Sequence, residues 1–269
     1  MISQPKVIDS AVHVWSDGEP PFPWEGAPPP EALQSAATHE ALAQLLRGAA
    51  GVAGALIVQP SIHKFDHSYV TAALRAHPDL YRGMCLANPT LEPAAAVAEL
   101  ARLHADGFVG VRFNPYLFPD GMDSPVGHAL YKKAGELQMP VGVMCFKGLL
   151  PQLPALTALL DASPETTLIV DHLGFFRQPA TGGLQGGGAA NDEAAWKALL
   201  ALAARPQACK PTPSPYPNPN WRLLPLVGAL ACVSTSYPPC RCTSRCRRSS
   251  APPPSRLRTR TCSSGCSSC

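Results

Sequence analysis

Along the first two hundred residues, short apolar runs alternate with longer segments whose apolar residues return every three or four positions. The short runs are "KVIDSAVHVW", "AGALIVQP", "YRGMCLANP", "FVGVRFNP", "PVGVMCF" and "TLIVDHLG". They are rich in Val, Ile and Leu and do not alternate strictly between polar and apolar residues. Parallel strands covered on both faces read this way, because no face has to be kept polar for water. The segments between them read as helices. "HEALAQLLRGAAG" stops at a glycine, and "DHSYVTAALRAHPD" offers Asp66 or Ser68 as a cap and stops at Pro78. "EPAAAVAELARLHADG", "PVGHALYKKAGELQ" and "LPQLPALTALLDASPE" follow the same scheme. "NDEAAWKALLALAARPQ" is a further helix with Asn191 or Asp192 as its cap.

Six strand–helix units in sequence predict an α/β chain of (β/α)8 TIM-barrel-like architecture. A complete barrel takes about 250 residues and two more units, so the barrel is expected to be incomplete. After Gln207 the pattern collapses. "ACKPTPSPYPNPNWRLL" is proline-rich, "LLPLVGALACV" is a short apolar run, and from Ser234 the chain is mostly Ser, Pro, Arg and Cys. The expected organisation is therefore a partial barrel over residues 1–207 and a Pro/Ser/Arg/Cys-rich tail over 208–269. That tail has too little apolar periodicity to pack a core and is expected to be disordered. A shifted reading frame in a GC-rich gene produces such a composition.

Charge and cysteine divide the chain at the same place. The net charge of +3 hides 13 Lys and Arg against all 19 Asp and Glu in residues 1–206, and nine Lys and Arg with no acid in residues 207–269. Only Cys85 and Cys145 precede residue 209, and the other eight cysteines follow. Two isolated cysteines inside strand-like runs suit a reducing compartment. The tail's closing Cys266-x2-Cys269 lacks the second ligand pair of a structural zinc site. Its basic residues belong to no nucleic-acid-binding module, so nucleic acid is not an expected partner. No apolar run approaches the roughly 18 residues of a membrane span. The N-terminus "MISQPKVIDS" lacks a secretory apolar core, and a cytoplasmic or plastid location is expected.

Chemistry-bearing residues gather where a parallel barrel builds its active site, at the C-terminal ends of the strands. In chain order they are His13, Gln59 with His63, Asn88, Arg112 with Asn114, Lys147, and Asp171 with His172. A neutral imidazole at such a position can bind a metal or polarise a carbonyl. A guanidinium there can clamp a carboxylate with two parallel hydrogen bonds, or pair with a strand-end acid such as Asp9 or Asp171. Asn114 and Gln59 can donate to a carbonyl oxygen or satisfy loop backbone. Lys147 can bind an anion or stand in solvent. His63 follows the second strand and is placed to face the mouth, whereas His77, before Pro78, reads as a helix end. Trp15, Phe22 and Trp24, in the proline-stiffened segment after the first strand, can wall a pocket or pack that segment down. "TGGLQGGGAAND" lacks the Gly-Lys-Ser/Thr of a phosphate loop and reads as an open loop.

Taken together, "IDSAVHVW", "GALIVQPSIHKFDHS", "GVRFNPYLFPDG", "KAGELQMPVGVMCFKGL" and "TTLIVDHLGFF" resemble the amidohydrolase-related family from about residue 6 to 207, with its plant and algal members the most alike. The resemblance implies a TIM barrel that hydrolyses a C–O or C–N bond, often in a lactone, or in related enzymes a decarboxylase. It implies a small carboxylated substrate polarised by His13 and His172 and held by Arg112, Asn114, Gln59, Lys147 and His63. Some relatives use a divalent metal such as zinc, and others use none. The family's first strand usually reads D-x-H-x-H, but Ala11 stands here in place of the first histidine. The closing "GSD", whose aspartate is the family's usual base or ligand, does not occur. His13 and His172 are thus the only ligand candidates, and a firmly held metal is not expected. The alternative is a truncated, catalytically inactive barrel. Its open edges would call for a partner, for which a homo-oligomer is one candidate.

Overall fold

The computed structural model describes residues 7–48, 52–175 and 189–208. The tail cysteines and the rest of 209–269 lie outside these residues, as does most of "TGGLQGGGAAND". Six strands are described: β1 (Val7–Val12), β2 (Val52–Val58), β3 (Tyr81–Leu86), β4 (Phe108–Phe113), β5 (Val141–Val143) and β6 (Leu168–Val170). All are parallel, and their spatial order is their chain order, β1-β2-β3-β4-β5-β6. Seven helices are described with them: α1 (Glu31–Gln34), α2 (His39–Gly48), α3 (Ser68–Ala76), α4 (Pro93–Ala105), α5 (Pro125–Glu136), α6 (Leu153–Ala162) and α7 (Ala189–Ala203). A single run of βα units in sequential order is the arc of a TIM barrel, here six strands of the eight. Among the described residues no strand lies beyond β1 or β6.

Local chemistry explains most boundaries. α4 and α5 begin with a proline at their first position, where the missing N–H costs nothing. α4 ends at Asp106, and Gly107 then takes φ +103, which turns the chain into β4. The Asp66 carboxylate accepts from the Ser68 N–H at the start of α3, while His67 is the cap residue itself. One expectation is corrected. α7 starts at Ala189, so Asn191 and Asp192 lie in its first turn and do not cap it.

The strands use their two faces differently. Ala55, Ile57, Tyr81, Cys85, Val111, Phe113, Val141, Val143, Leu168 and Val170 pack with the helices into one apolar core. Val58, Met84 and Leu86 are equally buried but lie outside that cluster. They occupy the alternate positions, which face the concave side. Arg112 shares that face, which is why the charged chemistry and the apolar core do not compete for space.

One buried histidine is part of the scaffold. His67 Nε2 accepts a hydrogen bond of 3.0 Å from the Leu86 N–H, and its ring sits edge-on to Phe108. Burial lowers its pKa from 6.5 to about 4. The unfolded chain therefore takes up a proton near pH 6.5 that the folded chain refuses until about pH 4. The stability due to this group is fully present above pH 6.5 and is lost as pH falls through about 4. The loss amounts to about 3 kcal/mol. Urea melts of the wild type between pH 7 and pH 4 are expected to show that decline. His67→Gln, which keeps an acceptor for Leu86, is expected to flatten it.

Candidate active site

Four side chains come together at the C-terminal ends of β1, β4 and β6. His13 follows β1 directly, and its Nδ1 lies 2.9 Å from the Val58 carbonyl oxygen at the end of β2. Arg112 is the penultimate residue of β4, and Asp171 and His172 follow β6. Arg112, His172 and Asp171 all lie near enough to His13 to act on its charge. Although His13 reaches solvent, surrounding protein holds its pKa below the ordinary 6.5. Loss of hydration is the largest cause. The Val58 carbonyl opposes it, Arg112 and His172 lower the value further, and Asp171 raises it.

Arg112 and Asp171 form the charged centre. They are 6% and 8% exposed, and Nε stands 2.9 Å from Oδ2. The N–H is not aligned with that oxygen, so the contact is an ion pair without a proper hydrogen bond. The two residues come from strands that are not neighbours, because β5 lies between them. Gly142 of β5 pairs with Arg112, and a Cβ there would stand 3.2 Å from Asp171 Oδ1. A residue without a side chain lets the carboxylate lie over the intervening strand. Of the two outcomes open to Arg112 in the sequence, pairing with Asp171 is the one seen.

His172 is exposed and begins a left-handed turn. His172, Leu173, Gly174 and Phe175 have φ of 51°, 54°, 68° and 56°. Residues other than glycine take this conformation at a cost of roughly 1–2 kcal/mol each. Strain of this kind persists only where the surroundings impose it, and it concentrates at functional sites. The His172 ring packs beside Phe175, with centroids 4.9 Å apart.

The other expected site residues are engaged elsewhere. Gln59 is buried and donates from Nε2 to the carbonyls of Lys64 and Asp66, at 3.1 and 2.7 Å. Both of its donor hydrogens thus serve loop backbone, the second of the two roles open to it. His63 is also buried, with Nε2 accepting from the Ser16 N–H at 3.4 Å. Its pKa is lowered, chiefly by burial, and it joins the segment after β1 to the turn after β2. Asn114 caps the short turn Pro115–Leu117 by accepting from the Tyr116 N–H. Lys147 is exposed, with Nζ 4.7 Å from the centre of the Tyr116 ring. Trp24 donates to the Ser16 carbonyl and Phe22 packs on Tyr69, so the segment after β1 is packed down. Tyr116 and Phe146, whose ring centres are 4.3 Å apart at the ends of β4 and β5, escaped the sequence reading. Their position just past two strand ends was the available signal.

The donor set does not suit a metal. Among the described residues no three His, Cys, Asp or Glu side chains converge as a metal-binding group. Asp171 is turned to Arg112, His13 Nδ1 to Val58, and Ala11 supplies no donor. No catalytic step is therefore derived through a metal ion.

A family model described as Amidohydrolase matches residues 8–233. The match runs past Gln207, where the resemblance in sequence was expected to end, and takes in "LLPLVGALACV". No curated protein matches the chain. Among solved structures, the "probable 2-pyrone-4,6-dicarboxylic acid hydrolase" of Acinetobacter baumannii, with citric acid bound, is similar at a TM-score of 0.53 and 22% identity. That match covers 72% of this chain and 65% of the other. A protein of Agrobacterium tumefaciens in its apo form is similar at 0.54 and 23% identity, over 75% of this chain and 63% of that one. A 2,6-dihydroxybenzoate decarboxylase from Rhizobium gives 0.48 and 15% identity, over 65% and 68%. The chain thus spans just under two thirds of the first of these structures. Within the described residues no helix is long and apolar enough to cross a membrane.

Asp171→Ala is expected to strand the Arg112 guanidinium in a buried setting and to cost about 3–5 kcal/mol. Replacing both partners, as Arg112→Met with Asp171→Leu, is expected to recover most of that loss. Chemical denaturation of the two variants beside the wild type checks the pair.

Proposed function

The chain belongs to the amidohydrolase family, and on that footing we propose that it hydrolyses a small carboxylated lactone, ester or amide. The observation that supports this reading is the meeting of His13, Arg112, Asp171 and His172 at the C-terminal ends of β1, β4 and β6. Function in a TIM barrel is read from its site and not from its fold, and each member of this group has a chemical use.

Arg112 holds the substrate. Its Nε side faces Asp171, and the guanidinium has no other partner among the described residues. The outer edge of the fork is the side left for a carboxylate, which it suits geometrically. Asp171 fixes the fork's direction and offsets part of its charge. His172, exposed at the start of its strained turn, donates to the oxygen of the scissile carbonyl and stabilises the negative charge that develops there. The similar protein of Acinetobacter baumannii was solved with citric acid, a small carboxylate of the class expected here.

The test is direct. The full chain is incubated with 2-pyrone-4,6-dicarboxylate and with simpler carboxylated lactones, and ring opening is followed by absorbance. Release of carbon dioxide in place of ring opening would make the chain a decarboxylase, and the absence of any reaction would make it a non-catalytic partial barrel. Arg112→Lys keeps the charge and loses the fork. It is expected to raise KM for a carboxylated substrate about tenfold while changing kcat little. An unchanged KM would remove Arg112 from substrate binding.

A further inference from the structure

We infer that His13 is the general base of this site and takes the proton of the attacking water on Nε2. The inference rests on the hydrolytic reading above and names the group that activates the water.

The tautomer follows from the geometry. Nδ1 lies 2.9 Å from the Val58 carbonyl oxygen. A carbonyl oxygen only accepts, so Nδ1 carries the hydrogen and donates it. In neutral His13 the lone pair is then on Nε2. That nitrogen makes no hydrogen bond to any described residue, and the side chain is open to solvent. An imidazole nitrogen with an uncommitted lone pair, with the opposite nitrogen anchored by an acceptor, is the arrangement of a general base with its orienting group. Here a backbone carbonyl takes the place usually filled by a carboxylate.

The neighbours suit the same role. Arg112, Asp171 and His172 are the charged and titratable groups that act on His13 from β4 and from the turn after β6. With Arg112, His172 and lost hydration outweighing Val58 and Asp171, the ring is neutral at pH 7. The Val58 carbonyl and the Asp171 carboxylate are the two groups that favour the cation once a proton arrives. Ala11, two residues earlier on the same face of β1, offers no second nitrogen.

The step balances. Nε2 removes a proton from water as the water oxygen bonds to the carbonyl carbon, and the carbonyl electron pair moves to its oxygen beside His172. When that pair returns, the bond from carbon to the ring oxygen breaks. The departing oxygen takes the proton from Nε2. One water is consumed, an acid and an alcohol or enol are formed, and His13 is neutral again.

The experiment uses chelator-treated full-length protein with 2-pyrone-4,6-dicarboxylate as the probe. His13→Gln is expected to lower kcat about 10²–10⁴-fold with little change in KM. The wild-type kcat is expected to fall on the acid side with a midpoint below 6.5, because protonated Nε2 cannot accept. That limb should vanish in the variant. Added imidazole should restore part of the rate to His13→Ala, which a purely structural role would not allow. Full turnover in His13→Ala, or a loss that leaves the acid limb in place and ignores imidazole, overturns the base alone. No turnover by the wild type on any carboxylated lactone overturns the hydrolytic reading, and the base with it. Independently of how the variants fold, nitrogen-15 NMR of the wild-type ring should show the hydrogen on Nδ1. A hydrogen on Nε2 at pH 7 overturns the inference.

Discussion

A guanidinium and a carboxylate, both nearly out of water, face each other across β5. Taking either charge from water alone costs several kcal/mol, so neither Arg112 nor Asp171 is tolerable without the other. Their meeting constrains everything around them. Arg112 has to point to the concave face, which leaves Val111 and Phe113 for the helices. A side chain at Gly142 would press on the carboxylate, since its Cβ would stand 3.2 Å from Asp171 Oδ1. The chain leaving β6 has to turn sharply at Asp171, and it does so through backbone angles that side chains seldom accept. The left-handed turn presenting His172 is thus continuous with the anchoring of Asp171.

Burial falls off toward one end of the sheet. In β4, Phe108, Val111 and Phe113 are sealed completely, whereas Val7 in β1 is 53% exposed and Asp9, Ser10 and Ala11 are open. Among the described residues β1 has a neighbour on one side only, and polar and charged residues such as Asp9 and Ser10 discourage an open edge from pairing with a stray strand. The centre of the sheet, β3 and β4, is buried along most of its length. Its first strand has the character of a border.

The fold was largely legible because its signal is redundant. Each strand is a dense run of Val, Ile and Leu, and each intervening helix repeats its apolar face with glycine or proline at an end. The positions of His13, Arg112 and His172 were legible for the same reason, since each stands at a strand's C-terminal end. Their partners were not. Gln59 and His63 carry the right chemistry at the right strand end, yet loop backbone near them needs donors and acceptors and claims both. A linear pattern does not show which carbonyl will need a partner. The turn after β6 was hidden too, because His172 and Leu173 are not residues that announce a positive φ. The family match extends to 233, across a weak apolar run inside proline-rich sequence, where periodicity has little to say.

The hydrogen bond from His13 to Val58 ties the end of the border strand to its neighbour. It therefore also rivets the two strands together just past their C-terminal ends. If β1 lifts from β2, the imidazole leaves the site with it, while Arg112, Asp171 and His172 stay where the core holds them. The integrity of the site therefore depends on the pairing of β1 with β2 as well as on the core beneath Arg112 and Asp171.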